Sequence, residues 1–569
     1  MLSLIKIFKN KIPQVLIIFL LLVIQAYCDL SLPSYTANIV DIGIQNTDIN
    51  YIIGVGFLML IMVSISVFAT IGISYFSSRV SSGYAKDLRK VVYSKVLKFS
   101  NHELNQISRS SLITRSTNDI NQLQNVLAMM LMVMFFAPIL GIGSIIKAFD
   151  SGGNLSWIIL ITFLAALIFL IIITVRVLPY FKLTQEIIDK MNKTAREILI
   201  GIPVIKAFVR QDYEQNKFGK VNKEFYDINL YVFRTIFILM PTLTLILNLM
   251  IVLILYFGAY DAIAGNILTG DIIAFIQYST QIVFSFILLG SIMIILPRFL
   301  VSARRVSEVL NMELSIVDGE INSIADNPTI EFKNVSYAYP GSEKETLKDI
   351  NFELVPGKTT AIIGGTGSGK STILNLIPRL QDVTSGEILI DGVNIKQINL
   401  KTLRERISFT PQKAILFQGS IKSNIQTGKS DATDEEIENA LKLAQVDFID
   451  GIDDEVSQGG SNFSGGQKQR LSIARAIISQ HDFYLFDDCF SALDMNTESI
   501  VKSNLDKITA DSSILFVSQR ISTIMDADEI IVLDNGEIID KGTHNDLINR
   551  CNIYSEIASS QMEDSSWHA

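Results

Sequence analysis

The sequence predicts a multidomain membrane protein, in which a bundle of six membrane-crossing helices is followed by an α/β domain with a largely parallel sheet. Three observations carry this expectation. Apolar residues make up 49% of the 569 residues and charged ones only 18%, and the apolar excess falls before about residue 300. Within that half, apart from Lys147 and Arg298 at its end, Lys and Arg fall in two internal stretches and the N-terminus. After Arg298 the composition changes abruptly, and short β-branched runs alternate with amphipathic helical ones. A chain of this length is expected to form more than one core.

Six long apolar runs, roughly 13 to 35, 51 to 76, 126 to 147, 155 to 178, 236 to 257 and 272 to 296, reach the roughly 20 residues that a helix needs to cross about 30 Å of hydrocarbon. A buried core helix rarely stays apolar on all sides for so long. No Lys or Arg falls between Lys11 and Arg79, or between Arg234 and Arg298. The segments 77 to 125 and 176 to 235, by contrast, carry Arg79, Arg89, Arg109, Arg176, Arg196 and Arg210. The positive-inside rule places both segments in the cytoplasm, with the N-terminus and its Lys6, Lys9 and Lys11. The first run is too long for a signal peptide, lacks a small-residue cleavage site and precedes further spans, so it reads as a helix.

Each cytoplasmic segment is about 50 to 60 residues long and favours helix, with a break at about 100–108 in the first and 209–218 in the second. Helices of roughly 24 residues would project about 36 Å, far enough to touch a cytosolic domain. The expected organisation is a membrane domain at 1–303, a charged linker at 304–327 and an α/β domain at 328–569, opening on Pro328. In such folds ligands bind beyond the carboxyl ends of the strands. Cys28, Cys489 and Cys551 have neither metal nor disulfide spacing. The net charge of −9 argues against a nucleic-acid partner.

The strongest motif is GGTGSGKS, residues 364–371, between the apolar run TTAIIG and the helical TILNLI. It fits G-x-x-x-x-G-K-[ST] in the strand, loop, helix setting that the motif needs. Gly364, Gly367 and Gly369 let backbone N–H groups close around phosphates at a helix N-terminus, where the dipole favours anions. Lys370 would reach the β and γ phosphates and Ser371 would ligate Mg²⁺, with Thr372 next among the nucleotide contacts.

A second motif, FSGGQKQR at 463–470, comes about twenty residues before the doubled aspartate of FYLFDDCFSALD at 483–494. With the phosphate loop, this pair resembles the ATPase domain of ABC transporters. Six spans followed by one such domain resembles an ABC exporter half-transporter over the whole chain. The resemblance implies ATP and Mg²⁺ as cofactors and assigns further roles. Tyr339, in VSYAYPG, would stack on adenine, and Gln412, in FTPQKAILFQG, would sense Mg²⁺ and the attacking water. Asp487, delivered by the strand 483–486, would complete the metal set with Ser371 and Gln412. Ser464, Gly465, Gly466 and Gln467 would serve an ATP held by a second domain packed head to tail, and SALD, ending at Asp494, would cross to that partner. GIPVIKAF, with Glu197 before it, and TGDIIAFIQY resemble exporter membrane segments. The breaks at 100–108 and 209–218 would be the coupling helices.

Two positions depart from the family pattern. Where a glutamate normally polarises the attacking water, this chain has Asp488. Its carboxylate is shorter by one methylene, about 1.5 Å, and a general base misplaced by about 1 Å can cost roughly a hundredfold. Where a switch histidine normally follows the strand SILFVS, this chain has Gln519; His102, His481, His544 and His568 all lie elsewhere. An amide can donate a hydrogen bond but cannot carry the imidazole's proton or charge. The signature FSGGQ is intact. The combination resembles the degenerate-site subunit of a heterodimeric bacterial multidrug ABC exporter. It implies a second half-transporter as partner, residence in the bacterial cell membrane, and a cytoplasmic ATPase domain.

The spans carry few ionisable groups apart from Asp29 and terminal positions such as Asp41, and include Gln25, Asn248, Gln277, Tyr278, Gln281, Phe284 and Phe286. Polar residues inside a membrane usually face the bundle interior. A cavity of this kind would suit amphipathic small molecules such as drugs, in contact with membrane lipid. A dedicated lipid or peptide exporter and an ATP-gated channel or regulator are the other readings. With no solute-binding, peptidase or regulatory domain evident, an importer or a leader-cleaving peptide exporter is not expected.

Overall fold

In the computed structural model, residues 4, 8 and 11–565 are described; Lys6, Lys9 and His568 lie outside the described residues. The chain divides into two compact units, one of residues 1–97 and 108–312, the other of residues 98–107 and 313–569.

The first unit is all helix. Among the described residues, six helices are long and apolar enough to cross a membrane: Ile12–Ile44, Ile49–Val96, Arg109–Ser151, Ser156–Tyr180, Gln211–Ile263 and Thr269–Ile292. Two of the expected spans continue unbroken into their cytoplasmic arms. Ile49–Val96 runs for 48 residues without Pro, about 72 Å at 1.5 Å per residue, and Ser156–Ala207 continues for 52 residues through Pro179 and Pro203. The last helix runs to Asn311, so the unit extends past residue 303 to Met312. Polar contacts tie the arms together: Ser302 donates to Asp119 at 2.9 Å in a buried bond, and Arg115 reaches the exposed Glu308 at 2.8 Å.

The two cytoplasmic breaks differ. The first holds a short helix of its own, Asn101–Gln106. The second is a tight turn at 208–210, where Val209 takes a positive φ of 54°, and from Gln211 the chain enters a 27-residue helix. Residues 209–218 therefore do not form a separate short helix.

The second unit is built on a six-stranded sheet in the order β12-β11-β3-β10-β9-β6. Its strands are β3 (Thr359–Ile363), β6 (Ile407–Thr410), β9 (Phe483–Asp487), β10 (Ser513–Val517), β11 (Glu529–Asp534) and β12 (Glu537–Gly542). All pairings are parallel except β11 with β12. A four-stranded antiparallel sheet, β2-β1-β4-β5, uses β1 (Ile330–Tyr337), β2 (Leu347–Leu354), β4 (Ser385–Ile390) and β5 (Val393–Asn394). Successive side chains of a strand point to opposite faces, and here both faces are buried. Tyr484, Phe486, Ile514 and Phe516 enter one core with Leu471, Ile473 and Ile477 of the helix Gly465–Ile477. Phe483, Leu485, Leu515 and Val517 enter the other, with Phe332 and Phe352 of the antiparallel sheet and Ile373 and Leu374 of the helix Lys370–Leu376. Two-sided burial is why the strands read as continuous apolar runs.

The helix Asn101–Gln106 belongs to this second unit through Glu103. That side chain is buried, and its two oxygens accept from the Ser100 N–H at 2.6 Å and the Ser315 N–H at 2.9 Å. Ser100 and Ser315 also pair through their hydroxyls at 2.8 Å. Burial alone would raise the Glu103 carboxyl; the bonds from Ser100 and Ser315 outweigh it and draw it down to about 2.

Candidate functional site

Four neighbouring parallel strands, β3, β10, β9 and β6, end at the same edge of the sheet and deliver the chemistry-bearing side chains there. The loop after β3 leads into Lys370 and Ser371, β10 into Gln519, β9 ends in Asp487 and is followed by Asp488, and Gln412 lies two residues beyond β6. Together they line a cavity of about 300 Å³, with Tyr339, Thr346, Thr366, Gly367, Gly369, Thr372 and Val517.

The phosphate loop has the conformation its glycines predict. Gly367 and Gly369 have φ of 85° and 104°, in the left-handed region that side chains rarely adopt. Gly364 is required for a different reason, since a Cβ there would stand 2.0 Å from the Leu533 carbonyl oxygen. The Lys370 ammonium is folded over the loop, donating to the carbonyls of Gly364 at 2.8 Å and Gly365 at 2.7 Å. Burial lowers its pKa, against the charges of Asp488 and Asp487.

The Ser371 hydroxyl donates to Asp487 Oδ1 at 3.0 Å. Burial pushes the Asp487 carboxyl above the ordinary aspartate range; the Ser371 hydroxyl opposes this and the neighbouring Asp488 adds to it. Hydroxyl, carboxylate and amide oxygens of this kind suit a hard divalent cation that keeps water and phosphate in its remaining positions, as Mg²⁺ does. Ser371, Asp487 and Gln412 therefore fit the metal, and among the described residues no cluster of three or more His, Cys, Asp or Glu offers another site.

Asp488 takes a positive φ of 46°, one that aspartate tolerates better than most residues. Its N–H donates to Val517 O at 2.8 Å, which ties the turn to β10, and Gln412 Nε2 donates to its Oδ2 at 3.4 Å. Burial raises the Asp488 carboxyl, opposed by the Gln412 amide, the Arg520 guanidinium and the Gln519 N–H. Asp488, Gln519 and Gln412 are thus brought to one wall of the cavity.

Tyr339 stands at the rim, 38% exposed, its hydroxyl 3.1 Å from Thr372 Oγ1 and its ring edge-on to Tyr337. An exposed ring beside the phosphate loop can stack on a base.

The remaining sequence-predicted residues lie outside this cavity. Ser464 caps the helix Gly465–Ile477: its hydroxyl accepts from the Gln467 N–H at 3.3 Å, and Gln467 Oε1 accepts from the Ser464 N–H at 2.8 Å. Gly465 opens that helix with little beside it, while a Cβ on Gly466 would meet the Ala492 carbonyl oxygen at 2.7 Å. This leaves a helix N-terminus, partly exposed and suited to an anion, with no phosphate loop of its own. Asp494 caps the next helix, Met495–Ile508, accepting from the Thr497 N–H at 3.0 Å and hydroxyl at 2.7 Å; these bonds lower its pKa.

Sequence reasoning missed Thr346 and Val517, which no motif marks and only the fold brings to the cavity, and Thr366, a variable position inside the phosphate-loop motif. It also missed Gln561. From the C-terminal helix Asn552–Ser565 its amide donates to Gln519 O at 2.7 Å and accepts from the Ile521 N–H at 2.8 Å, bracketing the switch loop.

Two family profiles match the chain, the ABC transporter transmembrane region over residues 15–286 and the ABC transporter ATPase over residues 347–491. An uncharacterized ABC transporter ATP-binding protein of Mycobacterium tuberculosis is 36% identical over 562 residues, covering 96% of both chains. A protein of Staphylococcus aureus whose name assigns it provisionally to multidrug export, as an ATP-binding/permease protein, is 33% identical over 505 residues, covering 86% of both. Among solved structures, a bacterial Atm1-family ABC exporter with ATP bound superposes with a TM-score of 0.82 at 24% identity, over 96% of this chain and 99% of that one, a likeness of fold.

Proposed function

The chain belongs to the ABC transporter family, with the exporter-type membrane region and the ATPase in one polypeptide, and from that premise we propose that it is the degenerate-site subunit of a heterodimeric exporter of amphipathic compounds. The observation that carries this reading is the wall of the phosphate-loop cavity where water would be activated, which holds Asp488 and Gln519 in place of glutamate and histidine. Asp488 sits on a turn tied to Val517 and faces the Gln412 amide, so its shorter carboxylate has no backbone freedom with which to make up the missing methylene.

In the proposed cycle, ATP lies with its base on Tyr339 and its phosphates in the loop 364–369, under Lys370 and Thr372. Mg²⁺, held by Ser371 and Asp487 with Gln412 nearby, supplies charge neutralisation at the phosphates. Hydrolysis here is slow, and the bound nucleotide holds two ATPase domains together. Ser464, Gly465, Gly466 and Gln467, which lie outside the chain's own cavity, complete the competent site of a partner half-transporter carrying glutamate and histidine. Asp494 ends the loop that crosses to it. The segments 100–108 and 209–218 couple the domains, and the N-terminus and ATPase domain are cytoplasmic in a bacterial cell membrane. The provisional multidrug-export name of the Staphylococcus aureus relative supports the substrate class.

The test is ATP hydrolysis by the chain expressed alone and with a candidate partner encoded nearby. The expected result is weak turnover alone and strong turnover as a pair, with Asp488→Ala mattering far less than loss of the partner's glutamate. Turnover by the chain alone equal to that of the pair would overturn the assignment. Pumping is separated from gating by ATP-dependent dye uptake into inverted vesicles.

A further inference from the structure

Asp29 lies seventeen residues beyond Ile12 and fifteen before Ile44 in the first span, about 25 Å and 22 Å along the axis from its two ends at 1.5 Å per residue. Asp29 falls inside the apolar run of this span, six residues before its end at about 35, so a carboxylate lies within a membrane segment, where ionisable groups are costly and mark functional paths. The local geometry is built around it. Pro33, four residues on, has no N–H to give the Asp29 carbonyl, and Gln281 Nε2 of the last span donates to that carbonyl instead, at 3.0 Å. The Ser144 hydroxyl holds the Gln281 Oε1 at 2.8 Å, and Tyr278 donates to Leu30 O at 3.0 Å. The backbone under Asp29 is thus fixed from the last span, whose Gln281 is braced by Ser144 of a third helix.

The side chain is used by none of these bonds. It is half-buried, and Oδ1 accepts one neutral donor, the Ser66 hydroxyl, at 2.8 Å. No ion pair to Asp29 is present among the described residues, and residues 12–78 and 235–297 contain no Lys, Arg or His; the basic residue of the helix that carries Ser144 is Lys147, exposed and three residues further on. A polar face left open inside a membrane segment must meet a cavity or another chain, because lipid cannot satisfy it.

We propose that Asp29 is the anionic anchor of an intramembrane site for hydrophobic organic cations. This deepens the export reading above and rests on it for the site's use. A positive centre shielded by apolar groups suits the setting: apolar helix faces take its substituents, and the fixed carboxylate, screened little within the membrane segment, takes its charge. An ion pair with a basic residue of the partner subunit is the competing occupant.

The experiment is equilibrium binding of tetraphenylphosphonium and of neutral triphenylphosphine oxide to the full-length chain in lipid nanodiscs, without ATP. Asp29→Asn keeps an acceptor for Ser66 and removes only the charge. The expected result is at least about tenfold weaker binding of the cation by Asp29→Asn with the neutral probe unchanged, and near-native binding of both by Ser66→Ala. No cation binding by the native chain, equal cation binding by Asp29→Asn, or parallel loss of both probes with ATP binding intact would overturn the proposal, the second also being the signature of a partner ion pair. Uptake into inverted vesicles tests the export reading separately. Cation binding through Asp29 without ATP-driven accumulation sinks export and leaves the site, whereas undiminished cation pumping by Asp29→Asn sinks the site and leaves export.

Discussion

Asp488 and Gln519 differ from the usual glutamate and histidine by one methylene and one titratable ring, and their effect comes from where the strands hold them. Because Asp488 is fixed by its bond to Val517 and faces Gln412, restoring reach requires a longer side chain. Asp488→Glu with Gln519→His should raise hydrolysis at this chain's own phosphate loop by about ten- to a hundredfold, measured as turnover of the purified chain. Either change alone should give much less. Gly364 offers an independent check: the Cβ of Gly364→Ala would collide with the Leu533 carbonyl, so the variant should lose nucleotide binding and about 1–3 kcal/mol of ATPase-domain stability. The phosphate-loop residues were legible from the chain alone, because phosphate binding dictates residue types at fixed spacing; the two departures were legible only against the pattern of the family that the chain resembles.

At the scale of elements, the short helix Asn101–Gln106 is fastened to the ATPase unit by one buried carboxylate. Glu103 is drawn from 4.5 to about 2, so its bonds to Ser100 and Ser315 stabilise the folded unit fully above about pH 4.5. That contribution is lost as pH falls toward about 2. Glu103→Gln should therefore remove on the order of 2–3 kcal/mol at neutral pH and flatten the acid limb of the stability profile. Faster hydrogen exchange at the Ser315 amide would report it. The break in this segment was legible from its turn residues, but the Glu103 to Ser315 contact was not, since nothing in either sequence neighbourhood announces a partner more than two hundred residues away. The second break was read too broadly: the polar run after Val209 belongs to a long helix, because only three residues are needed for the turn.

For the whole molecule, Ser464 to Gln467 and the phosphate loop belong to one domain, but Ser464 to Gln467 do not line the phosphate-loop cavity. Ser464→Ala should leave nucleotide binding by the isolated chain unchanged, since Ser464 does not line its cavity. It should cost about 1 kcal/mol as a lost cap and lower turnover of the assembled pair severalfold, a difference that nucleotide binding and pair turnover measured side by side would expose. Equal loss in both assays would mean that the signature helix serves its own phosphate loop.

The sequence by itself determined the six spans, the α/β domain and the phosphate loop, and the family resemblance marked Asp488 and Gln519 as departures from its pattern. Each of the first three is written in a local pattern: an unbroken apolar run, an alternation of strand and helix, or a motif whose spacing the chemistry imposes. Only the tertiary structure decided that Gln561 brackets the switch loop, that Glu103 fastens a distant helix, that Asp494 and Ser464 are helix caps outside the cavity, and that Gln281 satisfies the carbonyl freed by Pro33. The Glu103 and Gln281 bonds join groups more than two hundred residues apart and those of Gln561 about forty, pairings that exist only once the chain has folded; the two caps are local, and the fold decides only that they stand outside the cavity.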